Sequence, residues 1–446
     1  MARPHHAAAL ALLACALVLG PAAGPAQAGK RDPVARTIDR LAARDAFTPA
    51  ERAAWKRDWR RARAAVRRLA GDERRNLAGV MANTRSLARR GRLAGRARPA
   101  FLTLRRNLAW FAEQRRATPA NGTRHGFGSD LVWQLYAGSG WQLQPLGTFG
   151  ALNALLKRRR TGERIRRLAD EVLALAVWRR GFLAVEYLFP WGGGAPGWIS
   201  GMAQATGMQA LAGAAVRLDD PRLMRAATQM RGAFEAAPPW GVRRRTGAGR
   251  AHYLLYSQSP RLLVGNGFAQ AILGLDRYRE LSGDPGAARL VQRGLAQARR
   301  NLRRFDTGAW SLYHRTPSGP GRESDLHYHR VFTGFLERMC ERFGERPFCR
   351  LEERFTAYEA EPVEITRLRA RARGRRLAVR LRVSKRSIVT VTVRRGGRTL
   401  RLASRHLLRG GETFRFTRPR GRGSLAIEVR ATSLTGVASD ARADLG

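Results

Sequence analysis

The chain has 446 residues, too many for one compact core, and its 44% hydrophobic content can fill more than one. Charged residues make up 26% of it, which excludes a membrane-embedded body, and the formal net charge is +49. That charge, almost entirely arginine, attracts polyanions without choosing among nucleic acid, anionic cell-wall polymer and acidic polysaccharide. Arginine in place of lysine, beside abundant alanine and glycine, is also the composition of a GC-rich genome.

Residues 1–28 read as a secretory signal peptide. Arg3 and two histidines precede an apolar run over 7–19, and a small-residue stretch ends in Ala26-Gln27-Ala28. The run is too short to span a bilayer stably. Leu12-Leu13-Ala14-Cys15 faintly resembles a lipoprotein box, but the apolar run continues past the cysteine, so soluble export is expected. No later segment offers a transmembrane helix. The expected location is outside the cell or in its envelope, which disfavours a nucleic-acid partner. Past the signal, Cys340 and Cys349 remain. An oxidising compartment favours a local disulfide between them; the alternative is two unpaired thiols.

Residues 29–125 form a basic helical region. Thr48-Pro49-Ala50-Glu51 is a capping box with proline at the first helical position. Trp55, Trp59, Ala62, Val66 and Leu69 then follow on one helical face. The opposite face is mostly arginine, which suits a solvated surface and also a nucleic-acid contact.

Over 126–358 apolar helical segments alternate with Gly/Pro-rich loops, among them Trp191-Gly192-Gly193-Gly194-Ala195-Pro196-Gly197 and Pro238-Pro239-Trp240-Gly241. Helices are expected over 199–217, 266–281 and 325–343. The last carries Phe332, Phe335, Leu336 and Met339 as one stripe. Repeated helical hairpins of this size suggest a mainly α fold, an α/α toroid of the incomplete (α/α)6 type, although periodicity alone establishes only stacked helices. Over 359–446 the period changes to two. Leu377, Val379, Leu381 and Val383 alternate with polar residues, and Ile388-Val389-Thr390-Val391-Thr392-Val393 runs into Gly396-Gly397, a hairpin signal. This reads as a small C-terminal all-β sandwich, an accessory module without chemistry of its own.

Four blocks carry a family resemblance. The first is Pro196-Gly197-Trp198-Ile199-Ser200-Gly201-Met202-Ala203-Gln204-Ala205. The second runs from Tyr256-Ser257-Gln258-Ser259-Pro260 through Val264-Gly265-Asn266-Gly267-Phe268 to Ile272-Leu273-Gly274-Leu275. The third is Asp306-Thr307-Gly308 with Ser311-Leu312-Tyr313, and the fourth is Tyr328-His329. In order and spacing they resemble the C-terminal catalytic domain of the D-glucuronyl C5-epimerases. The sequence departs from that pattern at Leu255 and His327, where acidic residues are usual, and at Arg315, two rather than three positions after its tyrosine.

The resemblance implies epimerisation of a hexuronic acid residue at C5, of the D-glucuronate to L-iduronate type, within an acidic polysaccharide of the heparan sulfate or heparosan kind. The C5 proton is a very weak acid beside a carboxylate that already carries charge. The catalyst must offer a base on one face, an acid on the other, and stabilisation for the enediolate between them. Tyr256, Tyr313 and Tyr328 occupy the positions of the family's site tyrosines. Cationic neighbours would lower a phenol from its ordinary value near 10 and let it serve as base. A core aromatic with a bonded hydroxyl is the plain alternative for each. His329 and Arg315 are candidates to orient the sugar or clamp its carboxylate. Gln204 and Asn266 are candidates for sugar hydroxyls and Trp198 for stacking on a ring, with core or loop-bonding roles equally open.

No cofactor is implied. Gly192-Gly193-Gly194 lacks the strand and the Lys-Ser/Thr of a phosphate loop, and His327-Tyr328-His329 lacks a second ligand cluster for a metal. The sequence is compatible with a homodimer. Two other functions stay open: a uronate polysaccharide lyase, which begins with the same proton abstraction, and a non-catalytic polyanion-binding protein of the cell envelope.

Overall fold

A computed structural model describes residues 32–41, 47–317 and 319–445. The signal peptide expected over 1–28 lies outside the described residues.

Four helices open the fold: α1 (Pro33–Leu41), α2 (Pro49–Arg68), α3 (Gly71–Arg89) and α4 (Ala97–Asn107). The capping box of α2 forms in full. Thr48 accepts from the Glu51 amide, and the Glu51 carboxylate accepts from the Thr48 amide at 2.9 Å. Trp55, Trp59 and Ala62 are buried as the spacing requires, and Trp55 stacks on Phe101 of α4 at 5.3 Å. Arg57 and Arg60, on the other side of α2, face solvent.

Eight further helices follow: α5 (Pro145–Leu156), α6 (Gly162–Ala174), α7 (Gly201–Leu218), α8 (Pro221–Met230), α9 (Gly265–Ser282), α10 (Pro285–Asn301), α11 (Leu326–Phe343) and α12 (Arg346–Ala360). The odd-numbered helices form one row, α5 on α7, α7 on α9 and α9 on α11. Each even-numbered helix backs an odd neighbour from a second row. This alternation of two rows is an incomplete α/α toroid, in agreement with the expected fold class. Backbones in the first row approach closely because small residues permit it. A Cβ at Gly274 of α9 would come within 2.8 Å of the Ala205 backbone of α7. Ser200 caps α7 by accepting from the Ala203 amide at 3.2 Å, and Asp325 caps α11 by accepting from the Tyr328 amide at 2.8 Å. Cys340 and Cys349 form a disulfide that joins α11 to α12, with a Cα–Cα distance of 4.8 Å.

The buried apolar residues run without interruption from Val34 in α1 to Tyr358 in α12, so the first four helices share the core of the toroid. Short antiparallel pairings in the loops were not foreseen. Examples are Trp133–Tyr136 with Gly140–Leu143, Arg243–Gly247 with Arg250–Tyr253, and Leu263–Val264 with His314–Thr316. Strands of two to five residues are too short to display a period.

The C-terminal part is a sandwich of two antiparallel sheets. One has the strand order Ile365–Arg373, Arg376–Val383, Gly410–Thr417. The other has the order Arg398–Leu407, Ser387–Arg395, Leu425–Ser433, Ala438–Leu445. Val379, Leu381, Val391, Val393, Phe414 and Ile427 fill the space between the sheets. Gly396 and Gly397, with φ of 53° and 78°, make the two-residue turn that their sequence predicts. The sandwich is bolted to α12 by Lys385, which is 1% exposed and donates to the Tyr358 and Glu361 carbonyls at 2.6 Å each. Among the described residues no helix is long and apolar enough to cross a membrane.

Candidate active site

Two loops and the first turn of a helix deliver the three predicted tyrosines to one place. Tyr256 leaves the hairpin Arg250–Tyr253 and is pinned beside the start of α7, where the Ser257 amide donates to the Ile199 carbonyl at 3.0 Å. Tyr313 precedes the strand His314–Thr316, with its amide bonded to the Arg322 carbonyl at 2.8 Å. Tyr328 sits in the first turn of α11, fixed by the Asp325 cap. The Tyr256 and Tyr313 hydroxyls are 3.2 Å apart, and the rings of Tyr313 and Tyr328 meet at 4.7 Å with 53° between their planes. Tyr328 is 39% exposed, so the group opens to solvent at its edge.

A wall of aromatic rings stands behind it. Trp198 presents its edge to Tyr256 at 5.7 Å and stacks flat on Tyr187 at 4.0 Å. Phe189 packs against Tyr136 at 4.2 Å and Trp191 lies at the outer end, 45% exposed. Gly197 makes this wall possible: its φ is 89°, and a Cβ there would press within 3.1 Å of the Glu186 carboxylate. Glu186 is buried between two buried arginines. Arg96 grips it with two bonds of 2.6 Å, and Arg179 holds it on one of the same oxygens. Arg179 also donates to the Gly197 carbonyl at 2.6 Å, so the ion pair fixes the loop that carries Trp198.

Burial governs the phenols. Tyr313 is held well above the ordinary phenol value first by burial, then by the facing Tyr256, to which it is hydrogen-bonded. Tyr328 is raised by burial and by Tyr256 and Asp325. Tyr136 is pushed up to about 12 by burial, against the opposing pull of Gln144 and Arg124. The lowering by cations expected from the sequence is thus overturned for Tyr313 and Tyr328. Both sit among aromatic rings, where desolvation of the charged form dominates.

Several other candidates take structural places. His329 is fully buried, stacked on Trp310 at 3.6 Å, with Nδ1 2.8 Å from the Ser311 hydroxyl and Nε2 2.9 Å from the Phe355 carbonyl. With both nitrogens used it is closed to a sugar, and burial lowers it to about 4, so it is neutral at pH 7. Gln204, 0% exposed, spends its amide on the backbone of Val185. Trp198 is 5% exposed, its ring covered by Tyr187 and its Nε1 donating to the Phe189 carbonyl, so stacking on a sugar is denied to it. Asn266 is buried at the start of α9 and accepts from the Gly267 amide. Arg315 lines a different cavity, together with Arg304, and none of the three tyrosines lines it. The Asp306-Thr307-Gly308 block is a turn in which Asp306 accepts from the Tyr358 hydroxyl at 2.9 Å and pairs with Arg354 at 3.0 Å. Much of the resemblance therefore lies in scaffold that aims the tyrosines.

Sequence reasoning passed over Tyr136, Trp191 and Arg124. Tyr136 and Trp191 flank Phe189, and Arg124 is the cation that acts on Tyr136 and Tyr187. The glycine run before Trp198 hinted at Trp191, because a large ring on a flexible turn is poorly placed for a core.

Residues 180–357 match the family model described as D-glucuronyl C5-epimerase C-terminus, and the match includes all three tyrosines. No curated protein sequence matches the chain significantly. Among solved structures, the chain is similar to cellobiose 2-epimerase from Bacillus thermoamylovorans at 10% identity and a TM-score of 0.40, over 63% of this chain and 75% of that one. A sugar epimerase from a ruminal bacterium gives 8% identity and a TM-score of 0.41, over 64% and 74%. An endo-β-1,4-glucanase from Acetobacter xylinum gives 13% identity and a TM-score of 0.32, over 48% and 73%. Residues 180–357 are thus similar to the C-terminal domain of the D-glucuronyl C5-epimerases.

Proposed function

We propose that the protein epimerises hexuronic acid residues at C5, of the D-glucuronate to L-iduronate type, within an acidic polysaccharide outside the cell. The observation that supports this reading is the meeting of Tyr256, Tyr313 and Tyr328 at one solvent-open edge inside the family-matched segment. In the proposed cycle Tyr256 acts as its phenolate and takes the C5 proton to become a phenol, the C5–H electron pair delocalises into the neighbouring carboxyl as an enediolate, and exchange with solvent resets both tyrosines after turnover. Tyr313, kept protonated by burial, donates its hydrogen bond to the Tyr256 oxygen. Tyr328, also kept protonated, returns a proton to C5 from the other face. One C–H bond breaks and one forms, so the chain of sugars stays whole. Arg124 is the cation assigned to offset the charge of the enediolate. Trp191 is assigned to the flanking sugars, since an exposed ring offers a face for stacking, with the half-buried Tyr136 beside it. The net charge of +49 suits an acidic polymer.

Incubation with a glucuronate polymer in deuterated water tests the reading. Deuterium at C5 with the polymer length unchanged is the expected result. An unsaturated, ultraviolet-absorbing chain end would assign the protein to the lyases instead. Tight binding with neither signal would assign it to non-catalytic polyanion binding. Export is tested separately by mass spectrometry of the protein from its native host, which should begin after Ala28.

A further inference from the structure

A cavity of about 580 Å³ lies apart from the tyrosines. Its main wall is α10, an outer-row helix, with the 3-10 turn that follows it. The hairpin Arg243–Gly247/Arg250–Tyr253 and the strand His314–Thr316 close the other sides. Seven of its thirteen lining residues are arginine and none is acidic. With 83 Lys and Arg among 446 residues, composition alone would put about two or three there. Of the seven, Arg299 is spoken for by Glu345, at 2.7 Å through two bonds. The other six, Arg244, Arg250, Arg300, Arg303, Arg304 and Arg315, have no carboxylate partner among the described residues.

Like charges gathered in one concavity repel unless an anion offsets them. Neutral donors point the same way. Asn301 is 6% exposed and lines the cavity, and its Nδ2 has no acceptor among the described residues. The buried Nε of Arg315 likewise has none. Gln297 spends its carbonyl on the Thr246 hydroxyl at 2.6 Å, which leaves its NH₂ as the group it can offer a ligand. A cavity with six arginines that lack a carboxylate partner, and with buried donors that lack an acceptor, suits an acceptor-rich anion. Its volume lies within the range of ligand sites that hold a sugar-sized group.

We propose that this cavity is a second binding site for the acidic polysaccharide, taking carboxylate or sulfate groups of sugars remote from the one that reacts. The proposal rests on the acidic-polysaccharide reading above. It assigns to Arg303 and Arg304 the role of holding the polymer, with no part in chemistry. A chain anchored on the outer row keeps its reacting sugar near the tyrosines through many encounters, which raises affinity for long substrates only.

The test is calorimetric binding of a non-sulfated glucuronate polymer to the full-length protein, beside C5 deuterium exchange on a glucuronate tetrasaccharide. Arg303→Ala with Arg304→Ala should weaken polymer binding at least tenfold at physiological salt. It should also flatten the salt dependence by one to two in the slope of log affinity against log salt, by analogy with counterion release from other polyanions. Exchange on the tetrasaccharide should not change. Asn301→Asp, which sets a carboxylate among the arginines, should weaken polymer binding with the melting temperature retained. Arg57→Ala with Arg60→Ala on α2 is the control for bulk charge and should have little effect. An equal loss in the control, or no loss in the cavity variants, overturns the proposal. A sulfated polymer and inorganic sulfate run in parallel tell which anionic group is preferred. If Tyr256→Phe leaves exchange untouched while the cavity variants still lose the polymer, the catalytic reading fails and the second site stands.

Discussion

The hydroxyls of Tyr256 and Tyr313 stand 3.2 Å apart although 57 residues separate them in the chain. Two phenols in one hydrogen bond act as a unit, so their loss should not multiply. Tyr256→Phe and Tyr313→Phe should each lower C5 deuterium exchange at least about a hundredfold, and the double variant little further. The melting temperature should change by only a few degrees, because the ring stays and only an oxygen goes. Multiplicative losses would mean that the two act at different steps.

The pH profile follows from the raised phenols. A proton held more tightly than in an ordinary tyrosine leaves only at higher pH, so Tyr313 and Tyr328 stay protonated beyond the usual value near 10. As proton donors they therefore lose nothing between pH 7 and 10. Initial exchange rates should show no falling limb in that range. A decline between pH 8 and 9.5 while circular dichroism still reports folded protein would contradict the roles assigned to them.

Trp191 and Trp198 should separate binding from stability. Trp191 is 45% exposed and Trp198 is 5% exposed. Trp191→Ala should raise the KM for oligosaccharide several-fold with unfolding free energy within about 0.5 kcal/mol of the parent. Trp198→Ala should cost about 3–5 kcal/mol in chemical denaturation, since it opens a void against Tyr187 and Tyr256.

Glu186 neutralises two arginines that have no other carboxylate among the described residues. Removing its charge leaves two buried cations without compensation, a change that costs about 3–5 kcal/mol in other buried pairs. Glu186→Gln should lower stability by about that much and loosen the 191–198 loop. Faster amide hydrogen exchange at Gly197 and Trp198 is the readout.

Acid should destabilise the protein through buried histidines. His329 is lowered to about 4 and His252 to about 3, both mainly by burial. The unfolded chain takes up these protons near pH 6.5 and the folded one resists, so stability is present at neutral pH and falls as pH drops below 6.5. Each histidine should remove about 2 kcal/mol between pH 7 and pH 5. Neither ring nitrogen of His252 has a hydrogen-bond partner among the described residues, so His252→Leu should not weaken the protein at pH 7 and should halve the acid loss seen in urea titrations.

Much of the scaffold is written in local pattern. The capping box Thr48/Glu51, the stripe from Phe332 to Met339 and the alternation from Leu377 to Val383 each form as their spacing requires. These patterns are legible because a helix or strand that buries one face must repeat its apolar residues at a fixed interval. The site was legible in its tyrosines only because four motif blocks fell in order around them. It was misread in its supporting residues, since a motif records which residue is present and not which way it faces. His329 and Gln204 are part of the same blocks as Tyr328 and Trp198, and all but Tyr328 are buried as structure.

The amino-acid order alone marks the stacked helices, the strand-rich C-terminal part, the cysteines available for pairing and the three phenols to watch, because local spacing and the order of short motifs carry each of them. Folding decides the rest. It turns Trp198 inward and leaves Trp191 in solvent, sends Arg315 to an arginine-lined cavity, and wraps the phenols in rings that raise their proton affinity. Burial and hydrogen-bond partners arise between segments tens of residues apart, and their energies belong to the assembled environment and to no single stretch of chain.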